Sequence, residues 1–229
     1  MHKKSKFTLS ISKRLFEFGF KSLERYLEEV DDSLKIKWQD FAEKTDKELK
    51  TLTEAESEEY IDIIYDDLAM VRDTLPQING QTQILCIYAF MEHELIKLCK
   101  QYRRSNNIEM SVTDLKGGGL QASRAYLEKV ARFKLVENEV WKRLNTFNKI
   151  RNVVAHYNGY LSPDYYHFKG IKKFISENPT LIEFKPRGEG AKASGEIVIK
   201  SPCVKQFRED VDCYFKEIYD CWRLASDWA

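Results

Sequence analysis

Val140-Trp-Lys-Arg-Leu-Asn-Thr-Phe-Asn-Lys-Ile-Arg-Asn-Val-Val-Ala-His156 is the stretch on which the reading of this chain turns. At about 100° per residue, Val140, Leu144, Phe147, Ile150 and Val154 share one arc, the arc that a folded protein buries. Arg151 projects into the middle of that arc. Asn145, Asn148, Asn152 and His156 form a polar stripe beside it, with Asn152 and His156 one turn apart. The spacing predicts an amphipathic helix from about Glu137 to His156, and the same period recurs on both sides of it.

Upstream, Leu15, Phe18, Leu23, Tyr26, Leu27, Val30, Leu34, Trp38 and Phe41 follow one another by threes and fours. They predict one long helix, or two joined, from Ser12 to about Lys50. A second helix is expected from Thr53, whose pairing with Glu56 has the form of a capping box, to Thr74, stopping before Pro76. A third, the most apolar, spans about Gln81–Arg103. Gly117-Gly118-Gly119 reads as a hinge, since no Lys-Ser or Lys-Thr follows to complete a phosphate loop. Another helix is expected at about Leu120–Phe133. Beyond Asn158-Gly159 the pattern changes. A short helix near Tyr165–Glu177 precedes two alternating segments, Leu181–Lys185 and Glu196–Lys200, joined by the glycine-rich turn Pro186–Gly195. Pro202 opens a last helix to about Asp227. The fold class is therefore mainly α, a helical bundle with a small β-hairpin insertion near 181–200. Residues 1–79 are expected to form an N-terminal helical extension and residues 80–229 the main domain.

Composition sets the bounds. A chain of 229 residues, 43 % hydrophobic and 32 % charged, builds a core without staples and is not disordered. The longest apolar run, Ile84–Met91, is far short of the roughly 18 residues of a membrane helix. Lys13 and Arg14 interrupt what would be the apolar part of a signal peptide, so a soluble cytoplasmic protein is expected. The five cysteines include no C-x-x-C pair; Cys86 and Cys99 share one helix-like segment, Cys213 and Cys221 another. They read as reduced thiols. No G-x-S-x-G elbow occurs, and Asp31-Asp32 and Asp66-Asp67 are neighbours that diverge on a helix, which makes them solvated faces.

Net charge hides segregation. Residues 1–27 carry a net +5, residues 28–67 a net −10, and residues 97–151 a net +8, within an overall +1. Clustered Lys and Arg attract polyanions.

An arginine centred on an apolar face is costly unless paired with a carboxylate or set in a wet cleft. Arg supplies permanent charge and a planar fork that fits phosphate, and His exchanges a proton near neutral pH. By themselves these residues suit a more ordinary role first: Arg151 snorkels or pairs with a buried carboxylate, and His156 is a histidine at a helix C-terminus.

Arg151-Asn152-Val153-Val154-Ala155-His156 resembles the R-x4-6-H motif of the HEPN superfamily, with a polar residue after the Arg and a small one before the His. Tyr88-Ala89-Phe90-Met91-Glu92-His93-Glu94 is similar to the aromatic-rich helix ending in Glu that packs against that motif. The resemblance covers about residues 80–226; the N-terminal helices and the hairpin lie outside it. It implies a metal-independent endoribonuclease that needs no cofactor and acts as a homodimer on RNA, often as a toxin or anti-phage abortive-infection effector with an antitoxin or defence-system partner. The alternative it implies is an inactive module that docks a partner protein or senses a nucleotide.

RNA carries its own nucleophile in the 2′-OH, so a protein need only move protons and stabilise charge. His156 is the expected proton carrier and Arg151 the phosphate ligand. Asn152 would fix the imidazole or bond a phosphate oxygen, and Glu92 would aim Arg151. Asn148, Lys149, Arg143 and Tyr157 are the expected RNA contacts around them. No metal site is expected, Glu92–Glu94 included. Tyr165-Tyr166-His167-Phe168 has the composition of a base-stacking segment, although aromatics beside an amphipathic helix are more often packing.

Overall fold

A computed structural model describes residues 2–227 of the chain. Its elements, in order, are α1 (His2–Leu49), α2 (Glu54–Ala69), a π-helical turn (Met70–Thr74), α3 (Leu75–Ser105), a 3-10 turn (Val112–Asp114), α4 (Gly119–Lys129), α5 (Glu139–Tyr157), β1 (Tyr160–Leu161), α6 (Phe168–Glu177), β2 (Ile182–Arg187), β3 (Ser194–Ile199) and α7 (Ser201–Asp227). The chain is 74 % helical with a small antiparallel sheet, as the hydrophobic spacing requires.

The core is built around α3. Ile84, Ile87, Tyr88, Met91, Leu95, Leu98 and Cys99 line its buried face, and α1, α4, α5 and α7 pack against it. From α7 come Phe207, Val211, Tyr214, Phe215, Ile218 and Trp222, all buried. From α5 come Leu144, Phe147, Ile150 and Val154, four of the five residues expected on that arc; Val140 is half-buried. Phe147 stacks on Phe207 with ring centroids 4.5 Å apart. Full burial of one such side chain is worth about 1.5–3 kcal/mol.

The face that α1 buries differs from the expected one in its first half: Phe16 and Phe20 are buried, and Leu15, Phe18 and Tyr26 face outward. Leu27 is buried and Leu23, Val30, Leu34, Trp38 and Phe41 are half-buried, as the spacing predicts. α1 carries two apolar stripes, and the aromatic partners decide between them: Phe16 stacks on Phe215 at 4.0 Å and meets Phe90 at 5.9 Å. The expected boundary at residue 79 falls inside α3, and Phe16 and Phe20 of α1 belong to the same core as the rest.

The capping box at Thr53 and Glu56 is present. The helix it starts does not stop at Pro76. α2, the π turn and α3 run on continuously, with Pro76 in the first turn of α3. Proline normally breaks a helix because it lacks an N–H and its ring strikes the carbonyl four residues back. Here the turn is already widened: the Leu75 N–H reaches back five residues to the Met70 carbonyl. A single wide turn relieves the conflict that would end a regular α-helix.

The hairpin is longer than expected, and a third strand joins it. β3 lies between β2 and β1, antiparallel to both, with Ile182 opposite Ile199 and Tyr160 opposite Glu196. β1 follows α5 after only two residues. Asn158 takes the left-handed conformation at φ +50°, which Asn tolerates better than most residues, and the Gly159 N–H closes back on the Val153 carbonyl. The Gly159 carbonyl in turn accepts the Ile197 N–H at 2.9 Å. The end of α5, where His156 lies, is thereby tied to the sheet.

Candidate functional site

Arg151 stands on the side of α5 that meets α3. Its guanidinium lies 4.0 Å from the centre of the Tyr88 ring. Nη1 donates to Asn152 Oδ1 at 3.0 Å, and Nη2 is 3.8 Å from Glu92 Oε2. Tyr88 and Glu92 are one turn apart on α3, so a ring and a carboxylate receive the arginine together. The Arg151 side chain keeps 23 % of its surface exposed, which leaves one side of the fork open to solvent. Burial pushes the Tyr88 hydroxyl above its usual range, Glu92 pushes the same way, and Arg151 opposes both.

Glu92 is itself placed by a feature that the sequence reading passed over. Its carboxylate lies against the backbone of Gly119, the first residue of α4, so closely that a Cβ at Gly119 would coincide with it. Gly117-Gly118-Gly119 is therefore a close-approach site as much as a hinge. The negative charge sits at the positive end of α4, where the helix dipole favours it. The signal available in sequence was the glycine run just ahead of a helix.

His156 is exposed in the last turn of α5, and its imidazole makes no hydrogen bond among the described residues. It leaves the helix about 140° around from Arg151, five residues on at 100° each. Within one chain, then, the structure brings Arg151, Asn152 and Glu92 together and places His156 on a different face.

Residues 165–167 fold over that second face. The Tyr165 ring lies 5.7 Å from Tyr157 and 5.8 Å from His167, and Tyr166, almost wholly exposed, lies 4.8 Å from His167. Burial raises the Tyr165 hydroxyl, with Tyr157 acting in the same direction and a hydrogen bond with Asn152 opposing. His167 is pulled below the usual histidine range by burial and by the charge of Lys149. Asn152 thus lies between the two faces, bonded to Arg151 on one side and acting on the Tyr165 hydroxyl on the other. Lys149 and Tyr157 lie beside it, and Asn148 is half-buried one turn earlier with no hydrogen bond among the described residues.

Arg143 belongs elsewhere. Its Nε and Nη2 grip both oxygens of the buried Asp210 on α7, at 2.8 and 2.7 Å, and Gln206 adds a third bond. A two-pronged pair of this kind is structural, and it withdraws Arg143 from the set of phosphate contacts. The +8 stretch is reduced in the same way: Arg124 lies under Trp141 and pairs with Glu128, Lys97 pairs with Glu94, and Arg103 caps the carbonyls of Ile108 and Glu109.

Among the described residues no group of three His, Cys, Asp or Glu side chains could hold a metal ion, and no helix is long and apolar enough to cross a membrane. Compared with known proteins, the chain matches no family model, no curated protein and no solved structure.

Proposed function

We propose that this protein is a metal-independent endoribonuclease of the HEPN type, working as a homodimer, with the role of a toxin or anti-phage effector. The observation that carries the reading is the arrangement on α5. A half-exposed arginine is held on Tyr88 beside Glu92, and an exposed histidine follows five residues later on a clamped helix end.

The chemistry needs no protein nucleophile. The 2′-oxygen attacks the adjacent phosphorus, the 5′-oxygen leaves, and the products are a 2′,3′-cyclic phosphate and a 5′-hydroxyl. His156 moves the proton at the 2′-OH or the 5′-oxygen. Arg151 stabilises the extra negative charge of the transition state, and Tyr88, Asn152 and Glu92 keep its fork oriented. Tyr165, Tyr166 and His167 offer ring faces on which a base can stack. Incubation of purified protein with RNA in EDTA tests the proposal: new 5′-hydroxyl ends from the parent, and none from a folded His156→Ala protein, are expected. Equal cleavage by both would remove the site from consideration.

One observation favours a second reading, a catalytically silent module that docks a partner. The Arg151 charge already faces a carboxylate and a ring, the arrangement of a structural pair. A chain that binds RNA or protein but leaves RNA uncut in that assay would fit it.

A further inference from the structure

A groove of about 480 Å³ lies between the last turns of α3 and the loop that follows it, lined by Lys100, Arg103, Arg104, Asn107, Ile108 and Ser111. Three of these residues are cations and none is an acid. Arg103 is half-buried and held by the backbone: Nε donates to the Ile108 carbonyl at 3.1 Å and Nη2 to the Glu109 carbonyl at 2.7 Å. Carbonyls orient a guanidinium without cancelling its charge, and Nη1 makes no hydrogen bond among the described residues. Lys100 and Arg104 are exposed and form no ion pair or hydrogen bond among the described residues. The acids of the loop are engaged otherwise. Asp114 accepts the Ser111 N–H at 2.7 Å as part of a cap, and Glu109 takes part through its carbonyl.

Basic side chains in a last helical turn commonly answer the helix dipole, whose negative end amounts to about half a charge. Here that end is met largely without them. The Tyr102 carbonyl receives both the N–H and the side-chain amide of Asn106, at 3.1 and 2.9 Å, and the Arg103 carbonyl receives the Ile108 N–H at 3.1 Å. Three cations gathered within little more than one turn thus leave an excess of about two positive charges or more. Neutral donors add to them. Asn107, in the left-handed conformation at φ +53°, has a side-chain amide with no partner among the described residues. Ser111 Oγ accepts from the Thr113 N–H and hydroxyl, at 3.4 and 3.0 Å, and so keeps its own proton to give. Like charges held together repel, and an anion seated among them relieves the repulsion.

We propose that this groove binds a polyphosphate group, the linked phosphates of a nucleoside diphosphate or triphosphate or of an RNA 5′ end. Linked phosphates concentrate charge at one place, as the groove concentrates cations, whereas a phosphodiester chain spreads single charges along its length. Arg103 is the fixed donor, and Lys100 and Arg104 close on the ligand from the rim. Ile108 is the one apolar residue of the lining, so the phosphates and not a base carry the recognition. The inference does not rest on the ribonuclease reading, since it uses none of the residues assigned to cutting RNA.

Calorimetric titration of the full chain at low salt tests it, with inorganic pyrophosphate, ADP and a short oligoribonucleotide bearing a 5′-triphosphate as probes. One-to-one binding of pyrophosphate with a Kd below about 1 mM is expected, and orthophosphate should bind about tenfold more weakly. Lys100→Ala with Arg104→Ala alters two exposed side chains that hold nothing else, and should weaken pyrophosphate binding about tenfold or more. Lys169→Ala with Lys192→Ala, the same change of charge at exposed positions elsewhere, should bind like the parent. Tighter binding of ADP assigns the phosphates to a free nucleotide, and tighter binding of the oligonucleotide to an RNA 5′ end. The proposal fails if none of the three probes binds below about 10 mM. It also fails if the two double variants behave alike, which would leave only diffuse attraction. A loss at Lys100 and Arg104 as large for a 5′-hydroxyl oligonucleotide as for pyrophosphate would overturn it too.

Discussion

In the proposed reaction His156 and Arg151 have different duties, and substitution separates them. Loss of a proton carrier costs about 10² or more in rate, so His156→Ala should stop cleavage while RNA affinity, measured by filter binding, stays near the parent value. Arg151→Ala should lose both, and Arg151→Lys should not restore the rate, because an ammonium lacks the planar fork. Gly119→Ala puts a methyl group where the Glu92 carboxylate lies. It should lower stability by about 1–3 kcal/mol in urea unfolding, the usual range for overpacking, and slow cleavage through a displaced Arg151. The Arg151–Glu92 neighbourhood was legible through the resemblance, which set the helix Tyr88–Glu94 against the motif and so offered Glu92 to Arg151. The part played by Gly119 was not, since a contact between α3 and α4 leaves no local periodic trace. The separation of His156 from Arg151 was legible, since five residues at about 100° each set them on different faces; what lies opposite each face was not.

At the scale of elements, the Arg143–Asp210 pair joins α5 to α7 over 67 positions of sequence. Arg143→Ala leaves a carboxylate of 2 % exposure without its main partner. The expected loss is about 3–5 kcal/mol in urea unfolding, and a second change, Asp210→Asn, should recover much of it. Retained loss in the double variant would show that packing, and not the uncompensated charge, sets the cost. Arg143 reads as an RNA contact in sequence although, three residues after Val140, it falls between Ile150 and Val154 on the apolar arc, and its partner lies too far along the chain for sequence to name. The helices themselves were legible because each carries a long apolar period. The π turn was not: Pro76 is an ordinary stop signal, overridden here by a widened turn and by packing on both sides of it. β1 was missed because two residues are too few to show alternation, and its pairing with β3 is fixed by the Asn158-Gly159 turn.

At the scale of the whole molecule, the proposed reaction needs Arg151 and His156 at one phosphate although they leave α5 about 140° apart. The proposed two-fold dimer would meet that need by offering the arginine of one copy to the histidine of the other. Mixing Arg151→Ala with His156→Ala protein should then regain cleavage, since each mixed dimer holds one intact pair. Two inactive variants that stay inactive on mixing would show that each chain works alone. A different consequence belongs to the helical arm. α1 is about 70 Å long at 1.5 Å per residue, and between residues 28 and 69 no side chain is fully buried. That segment is held by half-buried contacts and by pairs such as Glu28 with Arg208 at 3.0 Å. The energy needed to open it is therefore smaller than the energy needed to open the core. In deuterium exchange, amides of Glu54–Ala69 should fill well before those of Ile84–Leu98, and a thermal melt followed at both regions should show the arm loosening first. This protein would then carry its most acidic surface on the part that breathes most, free to leave its seat while the helices bearing Arg151 and His156 stay folded.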